Sequence, residues 1–349
     1  MSLWRTKNLA IIYIHLLWKK LYFIELKNAF IVVVCLIMYK VGYTQLDEKE
    51  IARRLEENEA LFRNVCIVSQ RYDIIPKEKE HIGAYIEYQD LHELREDFVN
   101  ELADSIVSWV YSSEKFSELK KLVMKKGKPE SAATMEIARK AKMKFRADHN
   151  SEDLLIQGQL GELLLFHFIQ KCFGAVPLLR KMKIATSSKH ERFGADAIHY
   201  KIENGKNIII LGEAKTYTRN YKFSDAFSDA IESILSTYEN HRKELNLYVH
   251  EDFLDSEMND VAEKYLTNTL ENVEIQLAVI VTYNENKTLN ISDKNDIKKQ
   301  IEAIIEERYK QYDNKKIDIA NNPILKRITY IVFPVWDLKG LAELFQSII

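Results

Sequence analysis

A chain of 349 residues is long enough for one large or two moderate domains. Hydrophobic residues make up 46%, ample for a core, and the 29% charged fraction nets only −2, which excludes nucleic-acid binding through overall charge: any basic surface has to be local. Three scattered cysteines, Cys35, Cys66 and Cys172, form neither a zinc spacing nor a disulfide framework, which fits a reducing cytoplasm.

The chain opens with two apolar runs, Leu9 to Trp18 and Ala29 to Tyr39, of 10 and 11 residues. Lys19, Lys20, Glu25 and Lys27 separate them. Each run is shorter than the roughly 20 residues that cross a bilayer. No small-residue cleavage site follows the first. Buried strands, or a short helix and a strand, are the favoured reading. A peripheral membrane segment and a true start at Met38 stay open. Residues 1–45 are therefore set apart as an apolar segment of undetermined role.

From Leu46 to Arg146 the pattern is helical, which predicts a mainly helical N-terminal domain over 46–150. Leu94, Phe98, Leu102 and Ile106 give Leu91 to Tyr111 a helical period. Another helix starts at Ser113, Gly127 and Pro129 break it, and a further one runs to about Phe145. Residues 120–146 carry Lys120, Lys121, Lys125, Lys126, Lys128, Arg139, Lys140, Lys142, Lys144 and Arg146 against Glu130 and Glu136. That is ten positive charges minus two negative, a local net of +8. A solvated helix face and a contact with a phosphate backbone are equally open readings.

A helix is predicted from about Asp153 to Phe173. Leu165, Phe166 and Ile169 follow Glu162 at helical spacing, so Glu162 falls on the core-facing side, where an unpaired carboxylate is costly. Gly158 and Gly161 are expected to let this helix lie close against a sheet. A strand over about Leu178 to Ile184 leads into a loop, Ala185 to Phe193, carrying Lys189, His190 and Arg192.

The central stretch runs from Phe193 to Thr216. Asn204-Gly205 is a strong signal for a two-residue type I′ hairpin, because both central residues need φ > 0. Glu203 then pairs with Lys206, and the same register sets Asp196 opposite Glu213. The two carboxylates would share one face, with Cβ atoms roughly 4.5–5.5 Å apart. Lys215, two residues on, points the same way. Opposed like charges destabilise a sheet, and a divalent cation between them reverses that. Hard oxygen ligands suit Mg²⁺ or Mn²⁺. The bland reading is a solvated hairpin, but the apolar run Ile208 to Leu211 argues for a strand buried on both faces. His199 has the opposite parity from Asp196 and reads as structural.

Beyond Lys215, Ser224 is the predicted N-cap of a helix repeating at Phe227, Ile231, Ile234, Leu235 and Tyr238. A polar, largely helical insertion follows over about Leu245 to Asn272. Ile275 to Tyr283 reads as a strand, Ile291 to Tyr309 as a helix, Ile328 to Val335 as a strand and Lys339 to Ile349 as a short helix.

Between Asp153 and Tyr283 the order is helix, three strands, helix, strand, with Glu162, Asp196 and Glu213-x-Lys215 in sequence. This resembles the PD-(D/E)xK nuclease superfamily, with its restriction-endonuclease-like αβββαβ core. More narrowly, Gly161-Glu162-Leu163-Leu164, Gly194-Ala195-Asp196 and Leu211-Gly212-Glu213-Ala214-Lys215 resemble the HamA family, the nuclease subunit of the Hachiman anti-phage defence system, and the related AbpA-type proteins. The resemblance covers about Asp153 to Val335. No Gln or Arg stands out on the next helix as a fourth motif.

The resemblance implies an α/β fold, a nuclease domain over 151–349, a DNA substrate and a helicase partner. Asp196 and Glu213 would hold Mg²⁺ or Mn²⁺, with the Ala214 carbonyl and Glu162 as further ligands. Lys215 would orient the attacking water. Lys189, Arg192, Arg219 and Lys222 are candidate phosphate contacts, and so are Lys125, Lys126, Lys140, Lys142 and Lys144. A cytoplasmic protein is expected, and membrane association is not. Two other classes stay open: a catalytically silent nucleic-acid-binding or regulatory subunit, and an RNA-directed nuclease.

Overall fold

The computed structural model describes residues 46–55, 58–145, 154–180, 195–217, 223–248, 256–290 and 292–349. The apolar runs before residue 46 lie outside these. So do the loop bearing Lys189, His190 and Arg192, and the residues Arg219 and Lys222.

In chain order the helices are α1 (Glu48–Arg54), α2 (Glu59–Arg63), α3 (Arg95–Asp104), α4 (Ile106–Val110), α5 (Ser113–Lys125), α6 (Glu130–Phe145) and α7 (Leu154–Phe173). They continue with α8 (Phe223–Tyr248), α9 (Ser256–Leu266), α10 (Lys294–Gln311) and α11 (Leu338–Ile348). The strands are β1 (Val65–Gln70), β2 (His81–Ile86), β3 (Tyr88–Gln89), β4 (His92–Glu93), β5 (Val176–Leu179), β6 (Ala197–Glu203), β7 (Lys206–Tyr217), β8 (Val273–Asn284) and β9 (Ile328–Val335). Seven of them form one sheet in the order β1-β2-β9-β8-β7-β6-β5, and β3 pairs with β4 apart from it.

The run α7, β5, β6, β7, α8, β8 is the expected αβββαβ order. β5, β6 and β7 are antiparallel neighbours, and β7, β8, β9 and β2 run parallel. The parallel strands are covered on both faces, as their continuous apolar runs require. One face carries α7, α11 and α3; Phe98 of α3 and Phe168 of α7 both pack on Phe333 of β9. The other carries α8 and α10, joined by Phe227 against Tyr309 and Tyr312. Helix α7 buries Leu160, Leu163, Leu164, Phe166, Phe168 and Ile169. Each contributes roughly 1.5–3 kcal/mol relative to exposure.

Several expectations change. The stretch from Leu46 to Arg146, read as mainly helical with no strand assigned in it, contributes β1 and β2, and all six residues of β2 are buried. A short apolar run without a 3.6-residue period suits a buried strand, and parallel pairing to β9 supplied the neighbour that local pattern could not reveal. The sheet therefore continues across residue 150, and residues 48–349 form one compact unit. The helix read over Leu91 to Tyr111 begins at Arg95 and divides at Ser105, whose hydroxyl donates to the Leu102 carbonyl at 2.6 Å. Ser224 lies inside α8, not at its cap. Strand β5 starts two residues earlier than expected. Among the described residues, no helix is long and apolar enough to cross a membrane.

Candidate active site

The hairpin forms as its turn chemistry demands. Asn204 and Gly205 both take positive φ, 52° and 72°, and the ladder runs from Glu203–Lys206 to Ala197–Gly212. The register is the one expected. The pairing stops one residue short of the carboxylates, however. Asp196 bends off the strand: its amide N–H donates to the Gly212 carbonyl at 3.1 Å, and its carboxylate accepts the Ala214 N–H at 2.9 Å. Asp196 therefore clamps β7 just where β6 leaves it. The N–H and C=O of one strand residue leave by the same edge, so the Ala214 carbonyl faces the Asp196 side as well.

Glu213 and Lys215 project from the opposite face of β7 to Ala214, toward α8. Glu213 is 5% exposed. Its Oε1 accepts from Lys215 Nζ at 2.9 Å and from the Ser233 hydroxyl at 2.7 Å, and its Oε2 from the Thr237 hydroxyl at 3.2 Å. Ser233 in turn accepts from Lys215 Nζ at 2.9 Å. The Glu213 carboxyl is held above its ordinary value, first by burial and next by the charge of Asp196; Lys215 and the Ser233 hydroxyl pull it partly back. An ammonium has three donors. Two of Lys215's are used here, and its side chain is 26% exposed, so the third can reach a water or an incoming oxygen.

Helix α8 does more than the sequence suggested. Beyond Ser233 and Thr237, its Glu244 accepts the Ala195 N–H at 2.7 Å and so braces the residue before Asp196. Hydroxyls of α8 at i and i+4 stand beside Glu213. Ser233, Thr237 and Glu244 fall at helical spacing on α8, but side chains on a helix face name no partner until the strand beneath them is known.

Glu162 sits on α7, which covers the face of β7 opposite to the one from which Glu213 and Lys215 project. A Cβ on its neighbour Gly161 would lie 2.4 Å from Thr216 Oγ1 and 3.4 Å from the Ala214 Cβ, so α7 runs close over the even-numbered face of β7. Glu162 is half-buried there. The close approach expected of Gly161 is present; Gly158 faces open space. Among the described residues, no three His, Cys, Asp or Glu side chains stand together as a metal cluster. The structure brings Asp196, Ala214, Glu213 and Lys215 to one strand end, while Glu162 stays on the helix covering the other face.

The donor set nonetheless fits a hard cation. It offers two carboxylates and a backbone carbonyl without sulfur or imidazole, and a divalent ion would offset both the burial and the Asp196 charge that raise Glu213. The position fits too: Glu213 and Lys215 sit toward the carboxyl end of β7, beside parallel β8, where sheets of this kind bind ligands. His199 is structural as expected. It is 1% exposed, lies edge-on to Phe166 at 5.5 Å, and is pushed down to about 3 by burial.

The basic segment divides. Lys125 and Lys126 are exposed and make no ion pair among the described residues. Lys140 is tied to Glu136 at 2.7 Å and Lys142 lies 3.7 Å from Asp104. The Lys144 side chain lies outside the described residues.

A comparison with protein-family models matches HamA over residues 59–349. No curated protein and no solved structure matches. The match spans most of the chain and includes Glu162, Asp196, Glu213 and Lys215 as well as β1 and β2. The chain belongs to the HamA family, and so to the components of the Hachiman anti-phage defence system.

Proposed function

We propose that this chain is a metal-dependent nuclease that hydrolyses DNA phosphodiesters as the effector of a defence complex with a helicase partner. The observation that carries the reading is the strand end where the Asp196 carboxylate, the Ala214 backbone and the buried Glu213–Lys215 pair converge. Asp196 and Glu213 would hold Mg²⁺ or Mn²⁺, the Ala214 carbonyl would add a ligand, and Glu162 would contribute from α7. The cation would supply an acidified water and charge compensation on the phosphate.

The chain's own residues do the positioning. Lys215 directs its free N–H at the attacking water or at a non-bridging phosphate oxygen, where its charge offsets the charge developing in the transition state. Ser233 and Thr237 fix the Glu213 rotamer, and Glu244 fixes the backbone leading into Asp196. Membership of HamA supports the defence role, and the motif order supports the chemistry. DNA is preferred to RNA by the family resemblance alone, since metal-assisted hydrolysis acts on the phosphate.

The test is cleavage of end-labelled DNA and RNA by the purified chain in Mg²⁺, Mn²⁺ or EDTA, with and without the helicase subunit. Wild type is expected to cut DNA only with metal, and Glu213→Ala to lose at least a hundredfold in rate while keeping its fold. Cleavage of RNA alone would move the reading to an RNA-directed enzyme. A folded chain that cuts nothing under any condition would move it to a silent subunit.

A further inference from the structure

Helix α6 carries a surface that the candidate active site does not use. It packs on α4 and α5 through Ala133, Ile137 and Ala141, all buried. Its outer ridge reads Met135, Arg139, Met143 at i, i+4, i+8. Met135 is 71% exposed and Met143 62%. Among the described residues, four of the five exposed large apolar side chains fall on α5 and α6: Leu122, Met124, Met135 and Met143. Such clustering marks an interaction site, whereas scattered exposure would not.

The surface is also concave. Met135, Met143, Ala138, Val107 and Ile349 help to line a groove of about 750 Å³. Lys128, Arg139 and Lys142 also line it, beside Asp104 and Glu136; Lys128 pairs with Glu136 and Lys142 lies near Asp104, so Arg139 is the lining cation with no ion pair among the described residues. On α5 and at its end, Lys121, Lys125 and Lys126 are exposed with no ion pair among the described residues. An apolar groove inside a basic surround matches a segment that is apolar on one face and acidic beside it.

We propose that the α6 groove docks an acidic amphipathic helix of a partner protein. Methionines suit that occupant, because an unbranched, polarisable side chain adapts to an entering apolar ridge. Nucleic acid is the competing polyanion, and the groove suits it poorly. Single strands are held by stacking on aromatic side chains, and among the described residues no aromatic side chain lines this groove. A duplex presents a polar backbone throughout, which would leave the apolar lining of Met135, Met143, Ala138, Val107 and Ile349 unused.

The test titrates four fluorescent probes against the full chain at one ionic strength. The first is a synthetic helix with leucines at i, i+3, i+4 and i+7 and glutamates between. The second has the same residues scrambled, with no apolar face. The third is a single-stranded oligonucleotide, and the fourth is vesicles of anionic lipid. Saturable binding of the first is expected, at least tenfold tighter than of the second. It should weaken at least tenfold in the double variant Met135→Gln, Met143→Gln. Both side chains are exposed, so the variant should keep the wild-type melting temperature. The proposal is overturned if the amphipathic probe does not bind, if the scrambled probe binds as well, or if the variant binds unchanged. It is equally overturned if the oligonucleotide or the vesicles, and not the peptide, depend on the two methionines.

Discussion

At the scale of single residues, the candidate site turns on how one buried carboxylate is kept usable. Glu213 has to be ionised to hold a cation, yet burial and Asp196 both favour its neutral form. Lys215 and the Ser233 hydroxyl oppose them by bonding to the charged form. Because the carboxyl is raised in the folded protein, its ionisation costs stability as pH rises above the ordinary value, and it is protonated below its raised value. Metal-dependent activity should therefore fall off on the acid side. Ser233→Ala removes a hydrogen bond to a charged group, worth on the order of 1.5–3 kcal/mol. Since 1.36 kcal/mol is one pH unit, the acid limb of the Mg²⁺-dependent rate should move up by about one to two units, and Ser233→Thr should restore it. A limb that stays in place would show that Ser233 does not act through Glu213. The hairpin register, and with it the face shared by Glu213 and Lys215, was legible because turn chemistry fixes register and register fixes face. The bend at Asp196 was not, since it depends on where β6 stops pairing. Ser233 and Thr237 were overlooked because a hydroxyl in an apolar helix face carries no meaning until the strand beneath it is known.

At the scale of elements, the site depends on how closely α7 lies on β7. Gly161 and Gly212 leave the space: a Cβ at Gly161 would meet Thr216 Oγ1 at 2.4 Å, and one at Gly212 would meet Ile169 and Leu165 at 2.9 Å. Gly161→Ala should destabilise through overpacking, about 1–3 kcal/mol, less about 1 kcal/mol gained in helix propensity. Thr216 Oγ1 is buried with no hydrogen-bond partner among the described residues, so Thr216→Ala removes the clash without breaking a bond. The double variant should be more stable than the sum of the singles by at least 0.5 kcal/mol in denaturant unfolding. Additive singles would mean that the two elements are not in tight contact. The glycines of the Gly161 motif were visible in the sequence as a licence for close packing. Which of Gly158 and Gly161 used that licence depended on where the helix crosses the strand.

At the scale of the whole molecule, the αβββαβ core is not a free-standing half. β9 pairs with β8 on one side and with β2 on the other, and the Tyr309 hydroxyl lies 2.8 Å from the Ile82 carbonyl and 3.0 Å from that of Tyr330. Removing residues 1–150 would expose the β9 edge and uncover Phe98's place on Phe333. The fragment 151–349 is expected to be insoluble or to lack a cooperative melt. A soluble fragment with a sharp transition would contradict this. The αβββαβ order could be read from local periodicity, because each of its elements follows the last in space. The pairing of β2 with β9 joins residues some 250 apart in sequence and left no local trace.

The most direct test of the whole account is the rate of DNA cleavage by Lys215→Ala beside wild type at saturating Mg²⁺. Binding of the metal should be followed in parallel through the rise in melting temperature. The account predicts cleavage lost by at least a hundredfold while Mg²⁺ still raises the melting temperature, because Asp196 and Glu213 remain to hold the ion. Unchanged cleavage in Lys215→Ala would contradict the assignment of this strand end as the catalytic site.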